Sequence, residues 1–98
     1  MVTGRKQMPL TLKFIGALRQ VSGKTQLTVN FQEGMSLKDL VTVISQEMPL
    51  LEKTLNDDNA RSNMLILING REISVLNGLE TKLNDGDEIV FIPVVHGG

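Results

Sequence analysis

Cysteine is absent from the chain, which excludes disulfides, thiolate metal sites and a cysteine nucleophile of its own. Tryptophan and tyrosine are absent as well, and three phenylalanines are a poor supply for a base-stacking platform. Neither charge sign dominates: ten basic residues stand against eleven acidic ones, and Arg5-Lys6 is the only basic pair. That pattern leaves no electrostatic footprint for nucleic acid, so no direct nucleic-acid binding is expected. The longest apolar stretches fall far short of the roughly 20 residues a membrane-spanning helix needs, and no leader pattern opens the chain. The expectation is a cytoplasmic protein without a membrane partner. One histidine, His96, without cysteines near it makes no zinc site, so no metal is expected. Asn56-Asp57-Asp58-Asn59 lacks the glycine and closing glutamate of an EF-hand loop and reads as a solvated loop.

What remains is enough for one small core: 98 residues, 41% of them hydrophobic. Residues 1–8 have no periodicity and read as a flexible tail, with a single domain over 9–93 and a C-terminal arm over 94–98. Leu10, Leu12 and Phe14 alternate, as do Leu27, Val29 and Phe31, and Ser22-Gly23-Lys24 between them predicts an antiparallel hairpin. Ser36 with Asp39 forms a shortened capping box ahead of Leu37, Leu40, Val41, Ile44 and Met48, which recur at helical spacing. Pro49 stops that helix. Leu50, Leu51 and Leu55 allow a short further helical turn.

Met64 to Ile68 reads as a strand closed by Asn69-Gly70, the pair favoured in type I′ hairpins, with Ile73 and Val75 on the return arm. Asn77-Gly78 and Asn84-Asp85-Gly86-Asp87 mark two further turns around Leu79 and Leu83. A last strand runs from Glu88 to Val95. The order predicts an α+β fold: a mixed four- to five-stranded sheet with one main helix packed across one face.

One helix covers one sheet face, yet two strands are apolar on both. Leu65 and Leu67 oppose Ile66 and Ile68, while Val90, Ile92 and Val94 oppose Ile89 and Phe91. A contiguous apolar face left over in this way marks a contact surface, centred on Val90 and Ile92. The alternatives are cover by Lys13, Arg71 and Lys82, or by a second copy.

The apolar run from Ile89 to Val95 leads through His96 to Gly97-Gly98, with no spacer of Ser, Lys or Glu between. Two residues lacking Cβ enter a narrow channel that others find crowded. That points to the Gly98 carboxylate as the reacting group, against the plain alternative of a frayed terminus. A carboxylate is a poor electrophile, so chemistry there requires ATP and a partner enzyme, with no cofactor bound by this chain.

The segment from Leu83-Asn84-Asp85-Gly86-Asp87 through Ile92-Pro93 to Gly97-Gly98 resembles the ubiquitin-like sulfur carriers, of the molybdopterin synthase small subunit and thiamine sulfur carrier type. The ending His96-Gly97-Gly98 is similar to that of the ubiquitin-related modifier. The resemblance implies a β-grasp, ubiquitin-like fold and a carrier rather than an enzyme. A ubiquitin-activating-type enzyme would adenylate Gly98, and a sulfur donor such as a cysteine desulfurase or sulfurtransferase would convert it to a thiocarboxylate. Ile92 would hold the family's apolar docking position, with Val90 beside it. Pro93 would stiffen the exit of an arm formed by Val94, Val95, His96 and Gly97, which the partner grips. His96 either contributes a hydrogen bond there or is merely tolerated. The sulfur would feed molybdopterin synthesis, with the synthase large subunit as partner, or thiolation of a small molecule or of transfer RNA through a thiolase. Conjugation to lysines of other proteins and a non-covalent adaptor role are the alternatives. A single proline where molybdopterin synthase subunits often carry two leaves the acceptor open.

Overall fold

The computed structural model describes residues 8–16, 18, 25–49 and 64–93. Strand β1 is Leu10–Phe14 and β2 is Gln26–Val29; helix α1 is Leu37–Glu47; β3 is Met64–Ile68, β4 is Arg71–Glu72 and β5 is Glu88–Pro93. The five strands form one mixed sheet in the order β2-β1-β5-β3-β4. The last strand in the chain therefore lies in the middle, parallel to β1 and antiparallel to β3.

The predicted hairpin is present, with Leu12 opposite Leu27 and Leu10 opposite Val29. Its Ser22-Gly23-Lys24 turn lies outside the described residues, as do Leu50, Leu51, Leu55 and the Asn56–Asn59 loop. Phe31 is buried but stands beyond the end of β2. The alternation in β1 holds throughout: Leu10, Leu12 and Phe14 are buried, and Phe14 stacks on Phe91 with ring centroids 5.6 Å apart.

Helix α1 begins as its capping residues dictate. Asp39 N donates to Ser36 Oγ at 3.2 Å, and Ser36 N donates to Asp39 Oδ2 at 3.0 Å, so two otherwise unpaired donors are satisfied reciprocally. Leu37, Leu40, Val41 and Ile44 are buried against the sheet, each contributing on the order of 1.5–3 kcal/mol through burial. At the other end Met48 leaves the helical region at φ −130° and ψ 81°, as a residue before proline does.

The β3–β4 connection adopts the predicted left-handed geometry, with φ +51° at Asn69 and +84° at Gly70. The return arm differs from expectation. It pairs only at Arg71 and Glu72, after which Ile73–Val75 turn into a 3₁₀ helix and Val75 is exposed. The carboxylate of Glu72 caps that turn, accepting from Ser74 N at 3.1 Å and from the Ser74 hydroxyl. This local pairing outcompetes continuation of the ladder.

Asp87 is 7% exposed and joins three segments. Its Oδ1 accepts from Asn69 Nδ2 at 2.7 Å and its Oδ2 from Asn84 N at 2.8 Å, while Glu88 N donates to Asn69 Oδ1 at 2.9 Å. The hairpin turn, the Asn84–Asp87 turn and the first residue of β5 are thus tied together. Met8, placed by sequence at the end of an aperiodic tail, is hydrogen-bonded here too: its N donates to Asp85 Oδ2 and its O accepts from Gly86 N.

Replacing Asp87 by Ala leaves the Asn69 amide and Asn84 N–H without partners. A loss of about 1–3 kcal/mol in urea unfolding is expected, and an unchanged midpoint would refute the clamp. The capping box predicts a pH effect of defined sign. Hydrogen bonds from Ser36, its backbone amide foremost, hold the Asp39 carboxyl below its ordinary value of 3.8, with Lys82 and Lys38 acting in the same direction. The unfolded chain then binds the proton first, so this stabilisation is complete above pH 3.8 and is lost as pH falls through the lower folded value. Asp39→Asn should flatten the acid limb of stability against pH, with no change in its shape near neutrality.

Candidate functional site: the exposed sheet face at the end of β5

Alternation along β5 divides its side chains between two environments. Ile89 and Phe91 are fully buried under α1, whereas Val90, Ile92 and Pro93 are half-buried on or beside the opposite face. Strand β3 does the same, burying Ile66 and Ile68 while Leu65 and Leu67 remain half-buried. Register brings the outward residues together: Leu65 lies opposite Ile92 and Leu67 opposite Val90. Four aliphatic side chains on neighbouring strands therefore form one patch beneath which no second helix packs among the described residues.

The patch has a polar border. On β1, Thr11 and Lys13 occupy the outward positions, and Lys13 Nζ pairs with Glu88 Oε2 at 2.9 Å. Both side chains are more than 40% exposed, so the pair contributes at most about 1 kcal/mol and serves mainly as a rim. Of the other two cations expected as cover, Lys82 donates to Gly34 O beside the start of α1, and Arg71 is exposed in the β3–β4 hairpin. Lys13 alone borders the face.

Sequence reasoning missed one contributor. Ile15 follows Thr11 and Lys13 in the outward series and is 42% exposed; its N donates to Phe91 O at 3.0 Å, which extends the β1–β5 ladder by one step. The signal was the alternation itself, carried one residue past the strand. Gly16 then turns the chain at φ +62°, and a Cβ placed there would stand 3.5 Å from Pro93 Cγ. The turn after β1 thus packs beside the last residue of β5.

From Pro93 the chain continues through Val94, Val95, His96, Gly97 and Gly98, all outside the described residues. The predicted site therefore divides. Val90, Ile92 and Pro93 are brought together with Leu65, Leu67 and Ile15 at one end of the central strand, while the reacting group proposed at Gly98 and its arm are not described. Among the described residues no group of three His, Cys, Asp or Glu side chains gathers in metal-binding geometry. None of the helices among them is long and apolar enough to cross a membrane. What this face offers chemically is an apolar platform at the root of the arm.

The sequence pattern of the ThiS family matches residues 12–98. The chain belongs to that family. Small archaeal modifier protein 3 of Haloferax volcanii is 29% identical over 92 residues, spanning 93% of this chain and all of the relative. Ubiquitin-related modifier 1 homolog 2 of Arabidopsis thaliana is 31% identical over 101 residues, spanning 93% and 100%. The solution structure of small archaeal modifier protein 1 from Methanosarcina acetivorans superposes with a TM-score of 0.76 at 28% identity, covering 96% of this chain and all of that one. The fold is accordingly β-grasp, and this ThiS-family chain is a ubiquitin-like carrier or modifier protein, not a catalyst.

The two faces of β5 predict different costs on truncation. Ile89→Ala, under the helix, should lose about 2–5 kcal/mol. Ile92→Ala on the platform should lose less than about half of that, because water already reaches it. Equal losses in denaturant titrations would show that the platform is core.

Proposed function

We propose that this protein carries sulfur as a thiocarboxylate on Gly98. The observation that carries the reading is the placement of the platform: Val90, Ile92, Leu65, Leu67 and Ile15 flank the end of the central strand from which residues 94–98 continue. A partner seated on that apolar face receives the arm that continues directly from Pro93. Gly97 and Gly98 supply the thin approach to its active site.

The chemistry follows from the poor electrophilicity of a carboxylate. A ubiquitin-activating-type partner uses ATP: a Gly98 oxygen attacks the α-phosphorus, pyrophosphate leaves, and an acyl adenylate forms. A sulfur nucleophile from a cysteine desulfurase or sulfurtransferase then attacks the acyl carbon and AMP departs. If sulfur arrives as a persulfide, a thiol reductant cleaves the S–S bond and releases the thiocarboxylate. The absence of cysteine from this chain removes an internal thiol that would compete for the activated carbonyl. Delivery of the sulfur to a sulfur-free pterin precursor in molybdopterin synthesis through a synthase large subunit, or to transfer RNA through a thiolase, completes the cycle. Its ATP requirement fits a cytoplasmic location.

The names of the relatives, modifier proteins in both cases, favour one second reading: the same adenylate is captured by a lysine amine, giving an isopeptide bond. The two readings share activation and differ in the nucleophile.

With the cognate activating enzyme, ATP and a sulfur source, the intact mass should rise by the exchange of one terminal oxygen for sulfur. Deletion of Gly98 should abolish the exchange while leaving the circular dichroism spectrum unchanged. A deletion variant that retains full function in cells would instead identify a non-covalent adaptor. Lysines bearing the C-terminal remnant in digested cellular protein would establish the modifier role.

A further inference from the structure

The two edges of the sheet differ. Strand β4 pairs over two residues and bends away into a 3₁₀ turn, a blunted edge. Strand β2 has four residues, Gln26–Val29, with neither proline nor charge, the usual devices that block pairing. Phe14 N donates to Thr25 O, so the hydrogen-bonded pairs on this ladder continue at Leu12 with Leu27 and at Leu10 with Val29. The N–H and C=O groups of Gln26 and Thr28 consequently face outward, and among the described residues no strand pairs with them.

The seam between this edge and α1 is incompletely filled. Leu27, Val29, Val43 and Met48 pack against the core but remain only partly buried. A groove of about 280 Å³ runs along the seam, lined by Val29, Met35 and Val43 with Thr28, Asn30, Gln32 and Glu47. Its charge is one-sided. Among the described residues Glu47 is the sole ionisable residue of the lining, and α1 has no basic residue in its last turn to offset the partial negative charge of its C-terminus. The adjoining hollow adds Glu33 and Asp39. Asp39 is engaged in the helix cap and already has Lys82 and Lys38 acting on its carboxylate, and Lys82 donates to Gly34 O at that far end.

We infer that β2 accepts an extended peptide as a sixth strand, with alternate apolar side chains entering the β2–α1 groove and a Lys or Arg of the peptide meeting Glu47 at the helix C-terminus. Main-chain pairing supplies affinity in such strand addition, and the groove supplies side-chain selection. A second copy of this chain fits poorly, because its own β2 seam would bring another Glu47 against the first. The surface lies on the opposite side of β1 from β5, so a partner held here leaves the sulfur-carrying arm and its platform free. It would present a cationic protein segment to the loaded carrier.

The test is a titration of the full-length ¹⁵N-labelled chain with a blocked peptide of sequence Lys-Val-Thr-Val-Thr-Val-Lys. Amide shifts are expected at Gln26, Thr28, Asn30 and Val43. Flanking glutamates in place of the lysines, or N-methylation of alternate peptide amides, should abolish them. Glu47→Lys, a surface change that preserves the fold, should weaken binding by about tenfold, equivalent to about 1.4 kcal/mol. Deletion of Gly98 should leave peptide affinity unchanged, which separates this inference from the sulfur-carrier reading. Shifts centred on Val90 and Ile92, equal binding of the glutamate-flanked peptide, no shifts at millimolar peptide, or self-association through β2 in sedimentation would each overturn it.

Discussion

The structure depends on β5 occupying the centre of the sheet. It is the last of the described strands in sequence, yet it pairs with β1 on one side and β3 on the other. Neither half of the sheet is continuous without it. Its inward residues, Ile89 and Phe91, are fully buried between the helix and both neighbours. Long-range pairing of this kind carries a loop-closure cost before it returns any contact energy. The Asp87–Asn69 clamp acts where that cost falls, joining the β3–β4 turn to the first residue of β5.

Central placement also lets a core face and an open apolar face coexist on one strand. Alternation sends Ile89 and Phe91 into the core and Val90 and Ile92 to the open face. Apolar surface left on that face does not add to the core, and its retention makes physical sense as a contact surface. The β2 seam is a second incompletely filled region, and β1 separates it from β5. Two partly covered apolar regions thus lie on separate sides of the described domain.

Much of this was legible along the chain. Leu10, Leu12 and Phe14 on β1, the Ser36/Asp39 cap and the Asn69-Gly70 turn each depend on residues within a few positions of one another, so local chemistry settles them. The doubly apolar strands, set against the one main helix that the sequence predicts, also point to the open face. Less legible were Ile73 and Val75, whose apolar spacing suits a strand but which yield to the Glu72 side chain capping a 3₁₀ turn. Ile15 was overlooked because it lies one residue past β1, and only its hydrogen bond to Phe91 makes it part of the face.

Sequence alone determined the types of β1, β2, α1, β3 and β5, the apolar faces, the lack of any thiol and the Gly97-Gly98 pair, because each follows from residue identity and short-range spacing. Tertiary structure decided the strand order, the burial of Asp87, the pairing of Leu65 with Ile92 and of Leu67 with Val90, and the position of β2 at an edge of the described sheet. Those features join residues far apart in the chain, where periodicity carries no information about which strand becomes whose neighbour.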